Sequence, residues 1–283
     1  MADVRIGVSG WTYAGWRNSF YPEKLVQKKE LHYMSRSLNS IEINGTFYAL
    51  QKPATYQSWF AETPDTFRFA VKAPKYITHI RRLKDVAKPL NNFLASGLLA
   101  LGDKLGPILW QFPPNVMLKD DRFERFLGML PRTTHLAAEL AKNHDDKVQG
   151  RSFTTVAPIP RAVRHAFEFR HPSFLNPDFL AMLRAHDVAF VIADSGLKSP
   201  YTEELTAGFV YIRLHGQEEK YQSGYTPAAI RKWAGKIAAW SAAGLDVFCY
   251  FDNDAKEAAP FNAVELIARL GLAPRDEKAV ATG

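Results

Sequence analysis

One pattern recurs eight times along the 283-residue chain: a short apolar or alternating run, stopped by Gly, Pro or a polar turn, then a stretch with helical spacing. The runs fall at 5–9, 40–44, 67–72, 108–112, 163–170, 188–194, 209–216 and 246–251. Helical stretches are predicted from Tyr21-Pro22 toward Ser37, over 53–61 and within 85–104. Two pieces broken at Pro131 follow between 120 and 148, then 176–186, 227–243 and 259–270. Period-2 runs put alternate side chains on opposite faces of a strand, whereas recurrence at three and four residues marks one face of a helix. Strands separated by helices call for parallel pairing, because a parallel neighbour is reached only by crossing over the sheet. With eight such units and no linker-like composition between them, the expectation is one α/β domain over 1–283, a single (β/α)8 TIM barrel. It carries a long crossover insertion, residues 117–161, before the fifth strand. The stretch 150–160 within it reads as surface, and the tail from about 274 is expected to fray.

Several function classes drop out early. No apolar run approaches a membrane span of ~20 residues, and the N-terminus lacks the order of a signal peptide, so a cytoplasmic location without membrane contact is expected. The lone Cys249, inside the apolar run 247–251, rules out an internal disulfide and a thiolate metal cluster and reads as a core thiol. There is no glycine-rich dinucleotide fingerprint and no Walker-type phosphate loop. The net charge of +7 and pI near 9.3 admit an anionic partner, either a small metabolite or nucleic acid, although Arg81-Arg82-Leu83-Lys84 and Gln27-Lys28-Lys29 read as solvated faces.

The barrel reading places function at the C-terminal ends of the strands. In Phe167-Glu168-Phe169-Arg170-His171-Pro172, alternation turns Glu168 and Arg170 to one face and both phenylalanines to the other, and Pro172 stops the ladder. Six other strands end in polar groups too. Glu42 and Asn44 close the second, Lys72 the third (with Thr78-His79 on the loop beyond), and Gln111 the fourth. Asp194 closes the sixth, Arg213 and His215 the seventh, and Asp252-Asn253 the eighth. After strand one comes an aromatic loop, Trp11, Tyr13, Trp16, Phe20 and Tyr21, which fits either a pocket wall or simple packing over the barrel end. So many charged groups at one mouth call for a ligand, a metal or an internal ion-pair network in which Glu42, Glu168 and Asp194 neutralise Lys72, Arg170 and Arg213.

A set of ordered segments resembles a known family: Gly7-Val8-Ser9-Gly10-Trp11, Phe20-Tyr21-Pro22, Glu42-Ile43-Asn44-Gly45-Thr46-Phe47-Tyr48, Lys72-Ala73-Pro74 with Thr78-His79, Gln111-Phe112-Pro113, Glu168-Phe169-Arg170-His171-Pro172, Arg213-Leu214-His215-Gly216 and the segment 250–262. Together they are similar to the YecE-like family, a domain of unknown function. The resemblance spans most of the chain and implies a TIM barrel with no settled activity. Asp252 and Asn253 stand where that family often has paired asparagines, and the crossover is longer than usual.

Three cations in one cleft, Lys72, Arg170 and Arg213, suit a phosphate or carboxylate. Glu42, Glu168, His215 and Asp194 are the acid–base candidates. Asn44, Lys72, His79, Gln111, Arg170, His171, Arg213, Tyr221, Tyr225 and Asn253 are the expected substrate contacts. The favoured expectation is metal-free acid–base chemistry on a small anionic substrate, with no cofactor. Two alternatives stay open. One is a metal-dependent phosphodiesterase or endonuclease using His79, His171, His215, Glu42, Glu168 and Asp194, against which stand the lack of a local chelate and the arginines competing for the carboxylates. The other is a non-catalytic metabolite or nucleic-acid binder. Oligomeric state is not addressed by any of these patterns.

Overall fold

Alternation decides the interior of the sheet. The computed structural model, described over residues 2–196, 200–216, 224–253 and 257–272, is an α/β barrel of parallel strands, β1 (Val4–Ser9), β2 (Ser40–Ile43), β3 (Arg68–Lys72), β4 (Leu105–Gln111), β5 (His165–Glu168), β6 (Val188–Phe190), β7 (Ile192–Asp194), β8 (Phe209–Leu214) and β9 (Asp246–Phe251). Their order is β6-β5-β4-β3-β2-β1-β9-β8-β7. The sheet closes because β6 and β7 are successive pieces of one strand: β6 pairs with β5, and β7 pairs with β8.

That break corrects the expected count of eight continuous strands. The Phe190 N–H donates to the Thr206 hydroxyl (2.7 Å), which itself donates to the Val188 carbonyl (2.7 Å). A side chain from the next connection thus satisfies the edge that a neighbouring strand would otherwise take. Beyond it, β7 resumes pairing in time to carry Asp194 to the rim.

Inside the barrel, small residues on one side, Ala70, Ala166, Ala189 and Ala193, face aromatics on the other, Phe209, Tyr211, Phe248 and Tyr250. This small-against-large filling leaves no central channel. Gly7 is required by it: a Cβ there would lie 2.1 Å from the Ser40 carbonyl oxygen. Outside the sheet, the helices turn apolar stripes inward. Ile230, Trp233 and Ile237 do so on the helix Pro227–Ala242, and Ala259, Ala263, Leu266 and Ile267 on the helix Ala259–Arg269. Among the described residues no helix is long and apolar enough to cross a membrane.

Elsewhere the boundaries shift more than the elements. The first long helix begins only at Glu30, after a 3-10 turn at Gln27–Lys29, and the helix expected within 85–104 is α-helical over Ala87–Ala95 and 3-10 over Leu98–Lys104. A left-handed Gly97 (φ +116°) separates these two pieces. The crossover holds two short helices, Arg122–Met129 and Thr134–Ala141, on either side of Pro131. It is not all surface, since Phe123 and Phe126 lock into the aromatic wall of Trp110, Phe112, Phe167 and Phe169. The expected fraying from 274 and the contact expected of Tyr221 lie outside the described residues.

Candidate functional site

Arg213 is the hub of the C-terminal mouth. It reaches the interior from β8, next to Tyr211, and has no exposure to solvent. Its Nε and Nη2 donate to the two oxygens of Glu42 (3.1 and 2.9 Å), its Nη1 to Glu168 Oε2 (2.7 Å) and its Nη2 also to Asp252 Oδ2 (2.8 Å). Glu42 is further held by the Ser9 hydroxyl (2.9 Å) and the Tyr211 hydroxyl (2.7 Å). One buried guanidinium facing three carboxylates satisfies the requirement that interior charges be paired and hydrogen-bonded. The surrounding carboxylates raise the Arg213 pKa further, against burial. Burial alone would raise the Glu168 carboxyl, but Arg213 and His215 hold it well below the usual range. Asp252 is likewise low, with Arg213 and His215 overcoming its burial.

This arrangement redistributes the roles expected from sequence. Arg213 was expected to meet a substrate, yet its guanidinium is spent on the protein's own carboxylates. Glu42, expected as an acid–base group, accepts four hydrogen bonds and has no exposed surface. Of the internal neutralisation pattern, the Arg213 part holds, but Asp252 takes the place assigned to Asp194. Asp194 instead accepts from the Tyr225 hydroxyl (3.0 Å), which in turn accepts from the Gly216 N–H (3.1 Å). Tyr225 therefore latches two strand ends together. His171 caps the turn at Pro172–Phe174, its Nδ1 accepting from the Ser173 N–H (3.1 Å). Trp16 and Tyr21 of the aromatic loop are buried supports, and Trp11 packs edge-on against Trp59.

Four groups remain directed at the mouth. His215 lies between two carboxylates, Nδ1 at 3.0 Å from Asp252 Oδ2 and Nε2 at 3.5 Å from Glu168 Oε1. Its Nε2 also faces an Arg213 nitrogen at 3.4 Å, a neighbour that asks for the opposite protonation. Two carboxylates outweigh one guanidinium. Burial and Arg213 pull the imidazolium down, but the hydrogen bonds to Asp252 and Glu168 leave its pKa above the ordinary histidine value. Arg170 makes only long contacts to Glu168, 3.3 and 3.4 Å, and is about a third exposed.

The other two come from the end of β3 and the turn that follows it. Lys72 ends β3, and its ammonium sits over the Phe47 ring, 4.5 Å from the centroid. Phe47 is placed there by the helical turn Gly45–Tyr48, which the Thr46 hydroxyl ties to the Ile43 and Lys72 carbonyls (3.1 and 2.6 Å). His79 contacts the same ring edge-on at 5.0 Å. It lies in a π-helical turn, Tyr76–Ile80, rather than in the loop expected from sequence, with Nδ1 at 2.8 Å from the Thr78 hydroxyl. Burial and the Lys72 charge push its pKa down to about 4. Asn44 and Asn253 each leave a buried side-chain oxygen without a partner. Gln111, paired in register with Glu168, closes the floor between β4 and β5.

Sequence reasoning places Asp252 at the mouth without giving it a part in the site, and singles out neither Ser9 nor Tyr211. Alternation in the runs 5–9 and 209–216, and its continuation one residue past 246–251, is the signal that puts all three on the inner face. As for metal, the oxygens of Glu42, Glu168 and Asp252 turn toward Arg213. Among the described residues no group of three His, Cys, Asp or Glu side chains is disposed to hold an ion. The donor set therefore does not fit a catalytic metal.

Comparison with known proteins agrees with this architecture. The model for the family "Protein of unknown function DUF72" matches residues 5–282. UPF0759 protein YunF of Bacillus subtilis is 24% identical, covering 96% of this chain and 98% of its own length; UPF0759 protein YecE of Escherichia coli is 25% identical, covering 84% and 82%. Crystal structures of DUF72 family proteins from Thermotoga maritima (TM-score 0.73, 24% identity, 95% and 99% covered) and Enterococcus faecalis (0.72, 16%, 95% and 96%) share the fold. With the family match running over nearly its whole length, the chain belongs to the DUF72 family of proteins of unknown function.

Proposed function

We propose that the barrel mouth is the active site of an enzyme that carries out metal-free acid–base chemistry on a small anionic substrate. The observation that carries this reading is the division of charge around Arg213. Arg213 gathers Glu42, Glu168 and Asp252, His215 bridges Glu168 and Asp252, and Lys72 and Arg170 stand at the mouth against a ring face and one long carboxylate contact. Arg170 keeps donor capacity that its long contact with Glu168 does not use, and a bound phosphate or carboxylate is the partner that suits it. Arg170 is the group best placed to grip it, being half free of Glu168 and able to bind bidentately.

The two histidines differ in the way that acid–base catalysis needs. His215 is favoured as imidazolium by Asp252 and Glu168, and His79 as the neutral ring by its burial beside Lys72. Environments that push two titratable groups apart assign them opposite duties. His215 then donates a proton to a leaving or carbonyl oxygen, and His79 accepts one. Glu168 and Asp252 orient His215, and Arg213 holds both carboxylates still.

Thermal-shift screening tests the reading directly, because a ligand bound only by the native state raises the melting temperature. Phosphate, sulfate and phosphosugars are expected to stabilise the protein, and Arg170→Ala to erase the effect. Equal stabilisation by neutral sugars sinks the anionic reading. On a phosphosugar panel, His215→Ala is expected to lower turnover by about 10²–10⁴-fold. Including abasic-site DNA with and without chelator, beside elemental analysis, decides against a metal nuclease: chelator-sensitive cleavage with stoichiometric zinc or manganese overturns the proposal.

A further inference from the structure

We propose that Lys72 is a covalent catalyst whose amine condenses with the carbonyl of an aldehyde or ketone that also bears an anionic group, forming an iminium in the barrel mouth. This deepens the reading above and rests on the mouth being the active site; it adds the substrate's second functional group and the nucleophile.

The case starts from what Lys72 lacks. Four polar interior residues at this end, Ser9, Glu42, Glu168 and Arg213, have hydrogen-bond partners inside the protein, while the Lys72 amine has neither a hydrogen bond nor an ion pair among the described residues. Three carboxylates are near enough to act on its charge but hydrogen-bond Arg213, and among the described residues the close partner of the Lys72 amine is the face of Phe47. Desolvation and a second cation both shift a lysine toward the free amine, the form that attacks a carbonyl, while nearby carboxylates and the ring face act the other way. Burial and the Arg213 charge accordingly lower its pKa. Its main chain is fixed by the Thr46 hydroxyl, so the amine is aimed by a rigid strand end and not by a loop.

The surroundings also serve the steps that follow. Amine nitrogen attacks the carbonyl carbon and the C=O π pair moves to oxygen. The proton on the new ammonium passes through neutral His79, which shares the Phe47 ring with Lys72, to the alkoxide. A proton from the His215 imidazolium then lets the hydroxyl leave as water, giving the iminium and neutral His215. The positive charge that appears on nitrogen is the one that Glu42, Glu168 and Asp252 favour. Arg170 remains for the substrate's anionic group.

Borohydride trapping tests this on the full chain, since hydride addition to the iminium carbon leaves a permanent secondary amine. Pyruvate, dihydroxyacetone phosphate and glyceraldehyde 3-phosphate are the probes, and glycolaldehyde is the neutral control. With at least one anionic probe, peptide mapping is expected to find the adduct on Lys72 at about ten-fold or more over any other lysine, the selectivity expected of an activated amine. Lys72→Arg and Lys72→Met are expected to lose it while retaining a cooperative melt. No adduct with any anionic probe, an even spread over the lysines, or equal labelling with Lys72 replaced overturns the proposal. The wild-type map decides even if neither variant folds. Should phosphate and sulfate still stabilise the protein while no adduct forms, only the covalent step falls; should neither occur, the reading of the mouth falls with it.

Discussion

The two ends of the barrel hold similar residues and use them differently. At the N-terminal end Arg5 pairs with Asp3 (2.7 Å), and Arg164 pairs with Asp246 (2.7 Å) while lying over Phe209 and Phe248. These are separate pairs with solvent on at least one partner, and Arg5 also donates to the Thr66 carbonyl (2.5 Å). At the C-terminal end a single unexposed arginine is shared by three carboxylates, and the lysine beside it is left over. Pairing one to one satisfies the charge of Arg5 and Arg164 locally, and Arg68 beside them turns to the Asp65 and Phe67 carbonyls. Sharing one cation among three anions concentrates the network, draws His215 in between Glu168 and Asp252, and leaves Lys72 against the face of Phe47.

The contrast breaks most readily at Arg213. Arg213→Met leaves Glu42 and Glu168 buried without their partner and is expected to cost about 3–5 kcal/mol or to prevent folding, whereas Arg164→Met at the opposite end is expected to cost about 1 kcal/mol or less. Urea denaturation of both variants measures the gap; equal costs would make the two ends equivalent. Tyr211→Phe removes one hydrogen bond to the Glu42 carboxylate and should cost about 2 kcal/mol, the range for bonds to charged groups. A value near zero would mean that Arg213 and Ser9 alone suffice for Glu42.

The histidines sharpen the comparison through pH. His215 has a raised native pKa, so its stabilising contribution is complete below the unfolded value of ~6.5 and is lost as pH rises through the native one. The stability gap between wild type and His215→Asn should therefore narrow as the solution is made alkaline. His79 works in the opposite sense. With its native pKa near 4, it favours folding above ~6.5 and that contribution disappears as pH falls toward 4. His79→Gln should flatten the acid limb of the stability profile and leave the alkaline limb as in wild type. A gap for His215→Asn that widens with pH would place a neutral ring between Glu168 and Asp252.

The smallest expected effect has the reverse sign. Lys72→Met removes a half-buried amine that has no hydrogen bond or ion pair among the described residues and is expected to leave stability unchanged or raise it by about 1 kcal/mol, as when a polar group is held at the expense of the fold. Loss of more than that on replacement would make Lys72 a structural member of the network.

The barrel was legible in the chain because strand and helix are written in local periods, 2 and 3.6, and eight alternations leave few ways to close a sheet. The mouth was legible for the same reason: inward positions at strand ends are countable, and Glu42, Lys72, Glu168, Arg213, His215 and Asp252 follow from counting. Local signals also account for the start of β9 at Asp246 and for the breaks at Pro131 and Pro172. What periodicity leaves open is partnership across the barrel. The division of β6 from β7 depends on the Thr206 hydroxyl, 16 residues beyond Phe190. The assignment of Asp252 to Arg213 and of Asp194 to Tyr225 depends on which ends meet when the sheet closes. Most consequential, three cations look alike in the sequence, and only closure decides that Arg213 is consumed and Lys72 spared. Each inward side chain is fixed by its own strand, but its charge is balanced by neighbours up to 171 residues away, as Arg213 is by Glu42, and that is a property of the closed barrel alone.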